Sequence, residues 1–312
     1  MAQYAALAHH GDSASVQFSI AEKLGPAVNS PDIEWLPRLS NDGLSLHFTR
    51  NYETEAKGWI AKRATTQDPW CLAVHLEGAS VSKRVTSVGV VPGETTGDGL
   101  EFYFSDIRPG SYGYSDIYVM MREAIDSPWT EPVNLGAVVN SAYYEITPSI
   151  SPNGLELYFS DYIPELARPG GHGGGDLWVT RRLTRGDPWQ EPENLGPQVN
   201  SPAQDARLHI SSDGLLLFFD SERPGGYGGQ DLYVTRRATL GDPWGEAENL
   251  GPCVNSPATE YDPGISPDGR MLYFVRDNDI WQAPVICAAS NSDPNNAVRL
   301  LDQPKQSDSK RR

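Results

Sequence analysis

Cysteine is scarce in this sequence: Cys71, Cys253 and Cys287 are the only three among 312 residues. Three is too few, and odd in number, for a disulfide framework, and their spacing is not that of a metal site. The sequence also lacks a serine nucleophile elbow, a phosphate loop and a dinucleotide motif. We therefore predict no metal centre and no cofactor, and the enzyme classes that carry those motifs lose support.

Long apolar runs and positive charge are scarce as well. No apolar stretch is long enough to span a bilayer, and residues 1–18 have neither the cationic start nor the apolar core of a signal peptide. The net charge is −16, from 25 Lys and Arg against 41 Asp and Glu, which argues against nucleic acid or membrane insertion. The sequence as it stands predicts a cytoplasmic protein, or a periplasmic or secreted one if a signal peptide has been removed.

Helical periodicity is nearly absent, and a repeat takes its place. The segment Leu-Gly-Pro-x-Val-Asn-Ser-Pro occurs at 24–31, 195–202 and 250–257, with a variant at 135–142 and a worn copy from Leu76. An Asp-Gly or Asn-Gly turn follows each copy, and successive turns are 56, 55, 60 and 55 residues apart. A fixed period of this length predicts an array of equal supersecondary units.

Each repeat contains four predicted strands. An alternating apolar run follows every turn, as at 155–159, and indicates a strand that leaves a tight turn. A Gly-rich connection that begins Arg-Pro-Gly then leads to a third strand, as at 176–179, and a Pro-Trp segment leads to a fourth. Such units predict an all-β protein, a five-bladed β-propeller of four-stranded antiparallel blades.

The fifth repeat stops after its third strand, near residue 283. Residues 18–25 align with 244–251 of the preceding repeat, so we predict that residues 15–25 supply the outer strand of the last blade. This closure pairs the two ends of the ring and removes an exposed sheet edge. The predicted divisions are an N-terminal arm at 1–14, a single propeller at 15–283, and a tail at 284–312 whose polar end we expect to be disordered.

The nine residues 266–274 read Ser-Pro-Asp-Gly-Arg-Met-Leu-Tyr-Phe. This segment resembles the WD-like propeller repeats of the TolB type, which follow the pattern Ser-Pro-Asp-Gly-x-x-Leu-Tyr-Phe. The resemblance covers about residues 15–283 and implies the propeller fold. It leaves function open, because such repeats occur in scaffolds, cell-envelope proteins and enzymes.

Residues that recur in every repeat are candidates for structure. The recurrent Asn of the Asn-Ser segment accepts backbone hydrogen bonds in loops of this kind, and the recurrent Asp before the third strand is suited to holding loop amides. A recurrent carboxylate also lies eight positions before four of the five turns; the exception is the second repeat, which has Val90 at this position. Each could bind the amides of the loop before it, or together they could form the catalytic carboxylates of a central funnel: Glu34, Glu145, Asp205 and Glu260.

Residues that occur once are better functional candidates. On the innermost strands, alternation places a charged set along the central channel, and we predict that it binds a ligand: Arg38, Glu94, Arg207, His209 and Asp262. An ion pair between Arg207 and Asp262 is the structural alternative. Tyrosines near the Arg-Pro-Gly loops would complete the funnel mouth on that face: Tyr143, Tyr144 and Tyr261.

Two hypotheses follow. The first is a ligand-binding or scaffold propeller, expected to be a monomer, that takes a glycan or a protein segment at an acidic funnel mouth, because carboxylates accept hydroxyl hydrogen bonds and aromatic rings cover the apolar faces of sugars. The alternative is a carbohydrate-active hydrolase or lyase that uses the funnel carboxylates. Five-bladed arabinanases and levansucrases resemble this plan in architecture alone. Metal-assisted chemistry through His209 is a third and weaker interpretation.

Overall fold

The computed structural model describes residues 16–50, 57–76, 93–161 and 167–286. Within these ranges the chain forms strands, turns and loops, with no helix, and therefore no helix in them could cross a membrane. The strands form five blades of four antiparallel strands arranged as a β-propeller. The predicted fold class is confirmed.

The strands follow the predicted repeat. Two short strands come first: β1 (Gln17–Phe18) and β2 (Glu22–Lys23). Blade 1 consists of β3 (Glu34–Leu39), β4 (Ser45–Arg50), β5 (Lys57–Lys62) and β6 (Val74–His75). Blade 2 consists of β7 (Glu94–Thr95), β8 (Glu101–Asp106), β9 (Asp116–Met121) and β10 (Val133–Asn134). Blade 3 consists of β11 (Ile146–Ile150), β12 (Glu156–Ser160), β13 (Leu177–Arg181) and β14 (Glu193–Asn194). Blade 4 consists of β15 (Asp205–Ile210), β16 (Leu216–Ser221), β17 (Asp231–Arg236) and β18 (Glu248–Asn249). Blade 5 consists of β19 (Glu260–Ile265), β20 (Met271–Arg276) and β21 (Asp279–Ile286), completed by β1 and β2.

The N-terminal strands close the ring as predicted. Phe18 of β1 pairs with Val285 of β21, and Lys23 of β2 pairs with Trp281 of the same strand. Since β21 runs to Ile286, the last strand passes the predicted boundary at residue 283. The predicted N-terminal arm and almost all of the tail lie outside the described residues. The closing strand is therefore part of the fold, as the missing fourth strand of the last repeat required.

The recurrent Asn residues hold four of the five blade-to-blade connections. The Asn140 side chain accepts a hydrogen bond from the Ile117 N–H at 2.8 Å and donates one to the Ile117 carbonyl at 3.0 Å. Asn200 and Asn255 make the same pair of bonds in blades 3 and 4, and Asn29 makes them to Ile280 across the closure. These contacts agree with a structural role for the repeated residues.

Apolar clusters fill four of the five seams between blades. They join blades 2 and 3, 3 and 4, 4 and 5, and 5 and 1. The seam between blades 4 and 5, for example, contains Phe218, Phe274 and the closing residue Phe18. Among the residues that the structure describes, no such cluster joins blades 1 and 2, and this difference positions the site described next.

Candidate functional site

Each of the four recurrent carboxylates is the centre of a buried set of hydrogen bonds in its own blade, which we call the clamp. None has exposed surface, and each accepts hydrogen bonds from a serine of the loop before it and from an arginine. Glu34, for example, binds the Ser30 hydroxyl at 2.6 Å and the Arg50 Nε at 2.8 Å. Burial raises the pKa of Glu34 against the opposing effects of Ser30 and Arg50. The other three copies pair as Glu145 with Ser141 and Arg168, Asp205 with Ser201 and Arg223, and Glu260 with Ser256 and Arg276.

The arginine of the clamp comes from two different places in the repeat. Arg50 ends the second strand of blade 1, whereas Arg223 of blade 4 belongs to the Arg-Pro-Gly connection. Both reach the same kind of partners, since each also donates to a valine carbonyl of the preceding loop and stacks on the rings of its own blade. The clamp thus orders the loop before each blade. Catalysis by these carboxylates stays a prediction, but as placed they offer a ligand no exposed surface.

Arg207 and Asp262 lie close together, as the ion-pair alternative predicted. The Arg207 Nε is 3.8 Å from Asp262 Oδ1, but its Nη1 is only 2.9 Å from Oδ2 of a second carboxylate, Asp220. Burial raises the pKa of Asp220 to about 7. Asp220 was not predicted from the sequence, because it lies on a second strand and the candidates were taken from the innermost strands. The sequence did mark it as unusual, since blades 2 and 3 have Ser105 and Ser160 at the equivalent position.

The three predicted tyrosines divide between two places. Tyr144 stacks on Tyr114 of the neighbouring Gly-rich connection, with ring centroids 5.3 Å apart, and the Tyr143 carbonyl accepts a hydrogen bond from the Tyr114 N–H. Tyr261 instead lies against Arg207, whose guanidinium carbon is 5.1 Å from the ring centroid. All three are partly buried and belong to the end of the blades that carries the Arg-Pro-Gly connections.

The other predicted channel residues, Arg38, Glu94 and His209, each lie four positions before a turn. Together with Ser149 and Gly264, which occupy the same position in blades 3 and 5, they form a ring with one residue from each blade. Glu94 is its centre. The Arg38 Nε and the His209 Nε2 lie 3.1 and 3.3 Å from Glu94 Oε1, and the Ser149 hydroxyl donates to Glu94 Oε2 at 2.5 Å. A side chain at Gly264 would meet the Pro37 carbonyl at 2.7 Å. Glycine in blade 5 therefore allows the backbone of blade 1 to approach at Pro37.

The protonation of this ring follows from its contacts. The Ile265 N–H points to His209 Nδ1 at 3.4 Å, so Nδ1 is the acceptor and Nε2 carries the proton that faces Glu94. Burial, with the nearby Arg38, holds the pKa of His209 well below its usual range, and the imidazole is neutral. Burial raises the pKa of Glu94 to about 7, although Arg38 opposes this. A carboxyl group that titrates near neutrality can accept or donate a hydrogen bond to a ligand.

This ring lies at the floor of a cavity of about 1080 Å³. Arg38, Glu94 and His209 line the floor, and the walls come mainly from blades 1 and 2. The cavity opens among the turns between first and second strands: it reaches Asn41, Gly97, Pro152, Ser212 and Pro267. These turns lie on the opposite face from the Arg-Pro-Gly connections, where the sequence placed the funnel mouth.

Blade 1 explains the cavity, because it departs from the repeat on the side that faces blade 2. Each of the five residues of the ring at the cavity floor pairs with a residue of the second strand of its own blade. In four blades this partner is aromatic (Tyr103, Tyr158, Phe218 and Tyr273), but in blade 1 it is His47. On the third strands, four blades bury an Ile or Leu (Ile117, Leu177, Leu232 and Ile280), whereas blade 1 has Gly58. Two smaller or more polar residues thus replace the apolar contacts that fill the other seams.

Blade 2 presents its apolar side to the gap that results. Phe102 is partly exposed, although the equivalent leucines of the other four blades are completely buried: Leu46, Leu157, Leu217 and Leu272. Its ring lies 5.9 Å from that of Trp129, and both line the cavity. The unique ring residues and the unusual seam therefore meet in one place.

The comparisons with known proteins agree with the fold. No known family matches the sequence, and no curated protein matches it. Solved structures do: a thermostable family-43 glycoside hydrolase has a TM-score of 0.55 at 12% identity, over 85% of this chain and 92% of that one. A gluconolactonase from Xanthomonas campestris has a TM-score of 0.50 at 12% identity, over 88% and 98% of the two chains. TolB from Acinetobacter baumannii has 0.47 at 16% identity, over 83% of this chain and 56% of that one.

Identities this low show a shared propeller fold and no shared activity. TolB propellers are among the structural neighbours. No group of three or more His, Cys, Asp or Glu in the described ranges is arranged to hold a metal ion.

Proposed function

We propose that this protein is a ligand-binding propeller and that its ligand is a glycan held in the cavity between blades 1 and 2. The observation that carries the proposal is the coincidence of three features there: a large cavity, aromatic walls, and a floor of unique hydrogen-bonding side chains. Ligand sites in proteins are typically concave and mostly apolar, with a few placed polar groups.

The chemistry of the floor suits a ligand rich in hydroxyl groups. The Glu94 carboxyl accepts hydroxyl hydrogen bonds when it is ionised, and Arg38 is a pure donor, so together they match the donor and acceptor character of a sugar hydroxyl pair. The walls offer aromatic rings to the apolar face of a sugar ring. Two neighbours of the same fold are named as a glycoside hydrolase and a gluconolactonase, which makes carbohydrate the first class to test.

Binding is favoured over glycosidic cleavage for a geometric reason. Hydrolysis of a glycosidic bond ordinarily needs two carboxyl groups that flank it. The ring at the cavity floor supplies Glu94 alone, and the other two carboxylates that line the cavity, Asp42 and Glu131, are exposed. The four recurrent carboxylates are enclosed by their own serine and arginine partners. A propeller that binds without turnover fits this arrangement better than a two-carboxylate enzyme.

The test is a panel of oligosaccharides and simple glycosides, with affinity and product formation measured on the same samples. Glu94→Gln keeps the shape of the floor and should weaken binding by about one to two decades, because it removes a charged hydrogen-bonding partner. Glu193→Gln on the outer edge of blade 3 is the matched control, since the Glu193 side chain is 71% exposed and, among the described residues, pairs with Arg181 alone. Absence of binding across the panel, or equal affinity for both variants and wild type, would overturn the proposal. Product formation would support the enzyme alternative instead.

A further inference from the structure

The cavity has two chemically different parts. Its floor is charged, but the blade 2 wall is apolar and aromatic: Phe102, Trp129 and Met120 all line it. Phe102 also stacks on Phe104 behind it, with ring centroids 5.6 Å apart, so the wall is backed by the blade and held in place. The ligand that fills both parts must itself have two chemically different ends.

This apolar wall is specific to blade 2. Met120 is partly exposed, whereas the equivalent residues of other blades, Ala61, Thr180 and Thr235, are buried. Phe102 shows the same contrast with its four buried leucine counterparts. Exposed apolar surface of this kind normally marks an interaction site, and here it adjoins the charged floor.

The facing wall of blade 1 leaves space rather than contacts. A Cβ atom added at Gly58 would meet only Leu76, at 3.7 Å, within the described part of the chain, so nothing near it forbids a side chain. Four other blades carry Ile or Leu there. Blade 1 therefore lacks a seam contact that its backbone could accommodate, and Gly58 and Phe102 both line the cavity.

The size of the cavity points the same way. Pockets of roughly 300–1,000 Å³ bury most of a drug-sized molecule, and this one has about 1080 Å³. A single sugar ring on the floor would leave the aromatic wall exposed to water. The remaining volume is bordered by Phe102, Trp129 and Met120, and would accept a second, apolar group.

We infer that the ligand is a glycoside with an aryl aglycone: the sugar binds Arg38, Glu94 and His209, and the aglycone packs against Phe102 in the seam between blades 1 and 2. This inference rests on the proposed function, since it assigns the sugar to the same floor. It adds the chemical class of the other half of the ligand. A plain oligosaccharide would meet the Phe102 wall only with the face of a second sugar ring, which is less apolar than an aryl group.

The experiment uses the full chain and matched probes: the methyl and 2-naphthyl glycosides of glucose, galactose, xylose and arabinose, with 2-naphthol alone. For at least one sugar, the naphthyl glycoside should bind about tenfold or more tightly than the methyl glycoside, because it buries aromatic surface in the seam. 2-Naphthol should bind more weakly than that naphthyl glycoside. Affinities are measured by calorimetry.

Gly58→Ile restores the residue type of the other blades and places it in the seam. It should reduce the naphthyl glycoside to the affinity of the methyl glycoside, and methyl glycoside binding should stay within about threefold of wild type. Phe102→Leu, which restores the repeat residue on the facing wall, should reduce the same preference. Leu183→Ala removes an 80% exposed apolar side chain elsewhere and should change neither affinity.

The outcomes separate the two proposals. Equal affinity for methyl and naphthyl glycosides overturns the aryl inference and leaves glycan binding standing. Equal affinity for 2-naphthol and the naphthyl glycosides overturns the glycan proposal, because the sugar then contributes nothing. A fall in melting temperature of more than about 5 °C on Gly58→Ile also overturns the inference, since another part of this chain would then fill the seam in the folded protein.

Discussion

Replacing Asn29 with alanine should loosen the ring at the point where its two ends meet. The Asn29 side chain donates to the carbonyl oxygens of Leu24 and Ile280 at 2.8 and 3.0 Å, and accepts a hydrogen bond from the Ile280 N–H at 2.8 Å. It is buried, and its bonds to Ile280 span 251 positions of sequence. The substitution therefore removes the Asn29 hydrogen bond from three backbone groups at the closure, of which the Ile280 carbonyl keeps a bond from the Leu24 N–H.

The expected cost follows from these three bonds. A typical intramolecular hydrogen bond contributes about 1 kcal/mol net, so we expect the free energy of unfolding to fall by about 3 kcal/mol. For a domain of this size that corresponds to a fall in melting temperature of about 6–12 °C. Asn140→Ala is the matched control, because Asn140 also makes three hydrogen bonds but holds a connection inside the chain.

The assay combines urea denaturation with hydrogen exchange. Both variants should lose similar global stability, but only Asn29→Ala should raise exchange at the Ile280 amide and along β1 and β2. The reason is that Asn29 attaches the N-terminal strands to the last blade, and these strands can separate locally when its bonds are lost. If Asn29→Ala unfolds within about 0.5 kcal/mol of wild type, or if both variants show the same exchange at these strands, the account of the closure is wrong.

Two further effects can be measured by urea denaturation. Glu94→Gln and Asp220→Asn should each gain stability relative to wild type as pH rises from about 5 to 8. Both carboxyls have a folded pKa of about 7, while the unfolded chain releases these protons near the ordinary values of 4.5 and 3.8, so the wild type loses stability over this range and the variants do not. A pH-independent difference would contradict this. Arg182→Met should cost about 1.5–3 kcal/mol, because it removes the 2.6 Å partner of the buried Glu101 carboxylate of the neighbouring blade, which keeps its contacts with Arg185 and Tyr103. Arg122→Met, at the equivalent position facing the open seam and with no carboxylate partner among the described residues, should cost only about 1 kcal/mol; equal costs would mean that this seam is packed like the others.

The fold could be predicted because its determinants are local and repeated. Turn dipeptides at a fixed spacing and alternating strands gave the blade, and the missing fourth strand of the last repeat indicated the closure through Phe18. The recurrent Asn and the clamp around Glu145 were also within reach, since a residue present in four of the five blades is expected to play the same structural role in each of them. Comparison between repeats needs no alignment of relatives.

The site was predicted only in part. Arg38, Glu94 and His209 were identified as unique channel residues, and the structure places them in one ring. Their end of the channel could have been deduced as well, because they lie four positions before the turn whereas the recurrent carboxylates lie eight before it. The cavity could not, since it depends on whether two blades pack together. The sequence does contain two residues that distinguish blade 1, His47 and Gly58. They can be interpreted only when it is known which residues of each strand face the neighbouring blade.

Blade 1 separates the closure of the ring from the proposed binding of a ligand. Toward blade 5 it is held by an apolar cluster that includes Phe48 and Tyr273, and by Asn29. Toward blade 2 the described residues form a cavity in place of such a cluster. A ring can accept one poorly packed seam, because each blade contacts only its neighbours and the other seams keep their own interfaces. A ligand that spans blades 1 and 2 would supply the contacts missing at that seam, so its binding energy would add directly to the stability of the folded ring.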